Sequence, residues 1–256
     1  MKNIVQSAVF LVLFSGSCHV LALTSSVAAE DMGYRAVVQI AIPAYDSDGD
    51  VTGYCNGTLI SKNTLVTAAH CVVSSHLFQG QPIKIEVGQY RYRETPNGII
   101  RTGYATTLRH STPVTVQLRP GVSPTSPPNR ISPENDYAIL KLQNEIPVPA
   151  DFIFPTVWNQ NLTTSMQSQA FVVTINPVAY ISTSDTKRMA SLNSIQFLGN
   201  SAKSTSGSRL EAGDSGAPLF VVIQGRTYLA GVVKGRAQTA FSNWDVFSIW
   251  STRFQP

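Results

Sequence analysis

The chain has 256 residues, of which 43% are hydrophobic and only 13% charged, with a formal charge of +4. Ordinary soluble domains carry about 25% charge, so this surface is built more from Ser, Thr, Asn and Gln. That composition argues against a disordered chain, and the absence of any Lys/Arg run argues against a nucleic-acid-binding one.

The N-terminus has the pattern of an export signal. Lys2 opens it, an apolar run from Val9 to Phe14 follows, and Val27-Ala28-Ala29 offers small residues for cleavage before Glu30. Residues 1–29 are therefore expected to be a signal peptide and residues 30–256 the mature domain, secreted or periplasmic. The apolar run falls short of the roughly 20 residues of a membrane span, so no stable membrane insertion is expected after signal removal. Ser15-Gly16-Ser17-Cys18 loosely resembles a lipoprotein cleavage site but lacks its usual apolar residue three places before the Cys. With Cys18 in the signal, Cys55 and Cys71 remain as an even pair in an oxidising compartment, either bridged or two buried thiols.

Short runs of β-branched and apolar residues recur along the rest of the chain. They are Val37–Ile40, Thr64–Thr67, Tyr137–Leu140, Phe171–Thr174, Leu219–Val222 and Leu229–Val233. Gly, Pro, Asn and Ser separate them, and no long segment holds a helical period, so the chain reads as all-β. Asp46-Ser47-Asp48-Gly49-Asp50 fails the spacing of a calcium loop and reads as a polar turn between strands, with no metal. Residues 111–135 hold six prolines and are expected as a long surface loop, because proline removes ladder donors. Pro147-Val148-Pro149 is a stiff joint expected to divide two halves, about 30–146 and 150–256. The Ser-rich stretch 201–208 is expected to be mobile.

Three separated segments carry candidate chemistry. They are Thr67-Ala68-Ala69-His70-Cys71, downstream of Cys55-Asn56-Gly57-Thr58-Leu59-Ile60; Asn135-Asp136-Tyr137-Ala138-Ile139-Leu140; and Gly213-Asp214-Ser215-Gly216-Ala217-Pro218-Leu219. A serine hydroxyl needs a base to take its proton as it attacks an amide. An imidazole suits that role when a carboxylate fixes its tautomer from the far side. Backbone N–H groups must then await the oxyanion. The order His, Asp, Ser separates this arrangement from other triad folds.

Taken together, these strings resemble the trypsin-like serine proteases over roughly residues 35–250. The resemblance implies two six-stranded antiparallel β-barrels with the active site in the cleft between them. It implies a triad of His70, Asp136 and Ser215, an oxyanion hole of Gly213 and Ser215, and a Cys55–Cys71 disulfide. It also implies a serine endopeptidase acting on protein or peptide substrates through an acyl-enzyme, with no cofactor.

The chain departs from that family in several places. The family's Ile-Val-Gly-Gly start is absent, so Asp214 is expected to find a partner other than an N-terminal amine, without zymogen cleavage. Arg209 stands where tryptic members place the Asp of the primary pocket, and Val232-Val233-Lys234-Gly235 reads one residue short of the usual strand end. If Arg209 or Lys234 lines the substrate pocket, acidic side chains are favoured; if both face solvent, the pocket takes something small or apolar. Two alternatives stand beside the peptidase: a catalytically inactive binding module that keeps the fold, and an esterase using the same triad.

Overall fold

The computed structural model describes residues 27–28, 34–46, 49–95, 98–163, 169–175, 187–192, 194–204, 210, 213–238 and 243–250. In chain order the strands are β1 (Val27–Ala28), β2 (Val37–Asp46), β3 (Gly49–Ser61), β4 (Thr64–Thr67), β5 (Ile83–Thr95), β6 (Gly98–Thr112), β7 (Val114–Leu118) and β8 (Ala138–Leu142). They continue as β9 (Gln169–Ile175), β10 (Lys187–Leu192), β11 (Ile195–Leu198), β12 (Ser201–Ser204), β13 (Pro218–Ile223), β14 (Arg226–Gln238) and β15 (Asn243–Ile249). A single helical turn, α1 (Ala69–Val72), interrupts them. All six β-branched runs lie wholly or mostly in strands.

The strands form two curled antiparallel sheets, the two-barrel architecture the resemblance implied. One runs β6-β5-β2-β3-β4-β8-β7 and the other β1-β10-β9-β13-β14-β15-β12-β11. Among the described residues they hold seven and eight strands, where the resemblance implied six each. The first sheet ends in sequence at Leu142, and apart from β1 the second begins at Gln169.

Three apolar clusters hold the molecule together. One fills the first sheet around Ile40, Leu59, Leu65 and Ile85; another fills the second around Val172, Leu219, Val233 and Phe247. The third takes Val37, Val66 and Ile139 from the first sheet and Phe171, Phe220, Val232 and Trp250 from the second half, so it joins the two. Such a joint requires strands that are apolar on both faces, which is why β4 is buried at every position and β9 at all but its first. Trp250 packs edge-on against Tyr137 with ring centroids 5.6 Å apart, an arrangement the ring quadrupoles favour. Tyr137 directly follows Asp136, so this joint is the floor on which the candidate site rests.

Two expectations are corrected. The proline-rich stretch is not all loop: Pro113 ends one strand, and β7 follows it at the edge of its sheet, where a missing N–H partner is tolerated. The Ser-rich stretch contributes β12, paired with both β11 and β15, because alternate residues Ala202 and Ser204 are buried. The strands on either side of the Asp-rich segment pair antiparallel, with Asp46 opposite Gly49, while Ser47 and Asp48 lie outside the described residues. The signal and Cys18 readings lie outside the described residues, save that Val27–Ala28 pairs with Met189 and Arg188.

Candidate active site

Strand register brings the first two candidate residues together. Thr67 at the end of β4 pairs with Ala138 at the start of β8. His70 lies three residues beyond Thr67 and Asp136 two before Ala138, so both emerge at the same end of the ladder. The turn Pro133–Asn135, opened by a proline with its φ preset for it, delivers Asp136. The turn α1 delivers His70.

His70 Nδ1 stands 2.8 Å from Asp136 Oδ2, and the backbone N–H of His70 donates to Oδ1, also at 2.8 Å. The carboxylate therefore grips both the ring and the main chain of the histidine. Asp136 has no solvent exposure, whereas the His70 side chain keeps 19% of its surface exposed. The Cys55–Cys71 disulfide ties β3 to α1, with Cα atoms 6.3 Å apart.

A third donor reaches Asp136. Lys234 Nζ lies 3.1 Å from Oδ2 and also donates to the Ile131 carbonyl. The bend that aims it is a β-bulge: Val233 pairs with Phe247 and Gly235 with Val246, so Lys234 is the extra residue of β14. Burial alone would raise the Asp136 carboxyl above its ordinary range. The hydrogen bonds from His70 and the positive charge of Lys234 outweigh burial and hold it below that range.

The third candidate reaches the same place through the backbone. Asn56 N donates to the Ser215 carbonyl at 2.8 Å, Gly216 N to Val233 O at 2.9 Å, and Val233 N to Ala217 O at 2.7 Å. The serine turn is thus stitched to β3 on one side and β14 on the other. Gly216 has φ of 76°, and a Cβ there would collide with the Asn56 carbonyl and the Thr67 hydroxyl. Thr67 lies three residues before His70, so the serine turn packs against the histidine's segment. Among the described residues, the Ser215 hydroxyl makes no hydrogen bond to His70. The N–H groups of Gly213 and Ser215 likewise donate to nothing among the described residues.

Asp214 is 1% exposed and accepts a 2.7 Å hydrogen bond from the Thr174 hydroxyl. Of the two expected pocket residues, Arg209 lies outside the described residues. Lys234 lines a groove of about 480 Å³ beside His70 with Pro128, Asn129 and Arg236, but its amine is turned onto Asp136 and Ile131.

Sequence reasoning gave no role to Asn56 or Thr174 and placed Lys234 in a pocket. The available signal for Asn56 was a large polar residue between a cysteine and a glycine in a strand. For Lys234 it was the missing residue in the strand, which forecasts a change of ladder register.

A family model described as Trypsin matches residues 26–249. Among solved structures, an inactivated protease paralogue of the scabies mite, S-I1, is similar in fold, with a TM-score of 0.55 at 20% identity. The match covers 88% of this chain and 93% of that one.

Proposed function

Because the chain belongs to the trypsin family, we propose that it is a secreted serine endopeptidase with Ser215 as nucleophile, His70 as general base and Asp136 as the residue that orients it. The observation that carries this reading is the His70 ring held by a fully buried Asp136, with the Ser215 turn stitched across the cleft from it.

With its Nδ1 proton directed at Asp136, the neutral ring leaves Nε2 free to accept. Ser215 Oγ adds to the substrate carbonyl carbon as its proton passes to Nε2. The carbonyl oxygen becomes an oxyanion, met by the N–H groups of Gly213 and Ser215. Collapse expels the amine, protonated by the imidazolium, and leaves an ester on Ser215. Water then repeats the sequence and frees the acid. The hydrogen bond between Ser215 and His70 closes as substrate enters, since such contacts are often long in free enzymes.

The disulfide suits an oxidising compartment and supports export. Exposed Arg236 lines the groove beside His70, and among the described residues no carboxylate lines it, which supports a preference for acidic substrates; the Lys234 amine is itself engaged by Asp136 and Ile131. The two halves, about 30–146 and 150–256, each contribute to the site.

One observation favours a second reading. The Ser215–His70 hydrogen bond is unmade, and the fold is shared with a protease paralogue described as inactivated, so a binding module that retains the fold is the alternative. Labelling with a fluorophosphonate separates the two. The peptidase reading expects covalent modification of Ser215, abolished in Ser215→Ala, and hydrolysis of a peptide library enriched in acidic sites. A folded protein inert to both would leave the binding module.

A further inference from the structure

Asn56 stands in β3 with no solvent exposure. A buried amide must satisfy two donors and an acceptor, and its choice of partners reveals what it holds. Its Nδ2 donates to the Gly213 carbonyl at 2.8 Å, 157 residues along the chain. Its Oδ1 accepts the Ile175 N–H at 2.7 Å. Since Ile175 N can only donate and Gly213 O only accept, the amide has one orientation. Its main chain is engaged as well: Asn56 N donates to Ser215 O at 2.8 Å and Asn56 O accepts the Thr67 hydroxyl at 2.7 Å.

One residue therefore holds two carbonyls of the same turn, those of Gly213 and Ser215. The carbonyl between them, of Asp214, accepts from Ala217 N at 3.1 Å. All three carbonyls of the turn are thus engaged, and the Ser215 N–H lies between the two clamped peptide planes. We infer that Asn56 is a positioning residue that shapes the oxyanion donors of the Gly213–Ser215 turn from the opposite sheet. The inference rests on the proposed function of that turn. Through Thr67 the same residue is tied to the segment that delivers His70, so it sets the distance between base and nucleophile.

The test compares wild type with Asn56→Asp, which keeps the shape and the acceptor for Ile175 but turns the donor to Gly213 into a second acceptor, and with Asn56→Ala. Peptide hydrolysis and fluorophosphonate labelling are measured alongside hydrogen exchange of the peptide covering residues 213–219. The expected result is a kcat lowered about 10- to 100-fold, of the order that ångström-scale misplacement costs. KM should stay within about twofold, and exchange in the turn should rise about tenfold while the rest of the fold is retained. Unchanged kcat or unchanged exchange overturns the inference, and loss of the fold in both variants assigns Asn56 a purely structural role and overturns it too. If wild type neither cleaves nor labels, the proposed function falls and exchange alone decides: unaltered protection in Asn56→Asp overturns the clamp, and raised protection loss supports it.

Discussion

Lys234 donates to the same carboxylate oxygen of Asp136 that receives the ring of His70. A cation thus sits beside the carboxylate that holds His70. Its charge stabilises ionised Asp136. Replacing Lys234 by Met leaves Asp136 and the Ile131 carbonyl each short of a donor. We expect a loss of about 2 kcal/mol, below the roughly 3–5 of a fully enclosed pair because the lysine is partly exposed. Urea denaturation of the variant beside wild type reads it.

Asp136 also sets a pH dependence of stability. Its carboxyl is held below the ordinary value, about 3.9 in an unfolded chain. The group therefore contributes stability in full above the unfolded value, and that contribution is lost as pH falls through the folded one. Between about pH 5 and pH 2 the wild type should weaken steeply, and Asp136→Asn should weaken less steeply over that window. The same variant should lose about 10⁴ in turnover at neutral pH, since an amide presents the wrong partner to the ring. Melting temperatures taken across the acid range, with kcat at neutral pH, test the pair of effects.

Gly216→Ala should fail for steric reasons. The position has φ of 76°, and the added methyl would enter the space of the Asn56 carbonyl and the Thr67 hydroxyl. Both neighbours belong to the first half, so the turn must retreat from it. A loss of more than about 2 kcal/mol is expected, together with loss of fluorophosphonate labelling. Retained labelling at wild-type rate would show that the stitch between β3 and the serine turn is dispensable.

Thr174→Val removes a hydroxyl of equal size and leaves the buried Asp214 short of one donor. A cost of about 1–3 kcal/mol is expected, typical of an abandoned buried acceptor. Since Asp214 directly precedes Ser215, the variant should also label more slowly than its stability loss alone explains. Thermal melts and labelling rates measured on one preparation separate the two.

Much of this arrangement was legible because it is local. The β-branched runs become strands since a sheet buried on both faces needs them, and the strings around His70, Asp136 and Ser215 carry their own turn chemistry. The contacts that escaped are long-range. Asn56 reaches Ile175 and Gly213 across 119 and 157 residues, and no local pattern encodes such partners. Lys234 was visible as a departure from the family's strand end, but only the altered pairing with Phe247 and Val246 turns it toward Asp136. The strand after Pro113 was hidden because proline forbids a central strand and permits an edge one.

The cystine touches two proposed working parts: Cys55 directly precedes Asn56, and Cys71 directly follows His70. Reduction of a bond that meets no substrate would loosen both at once.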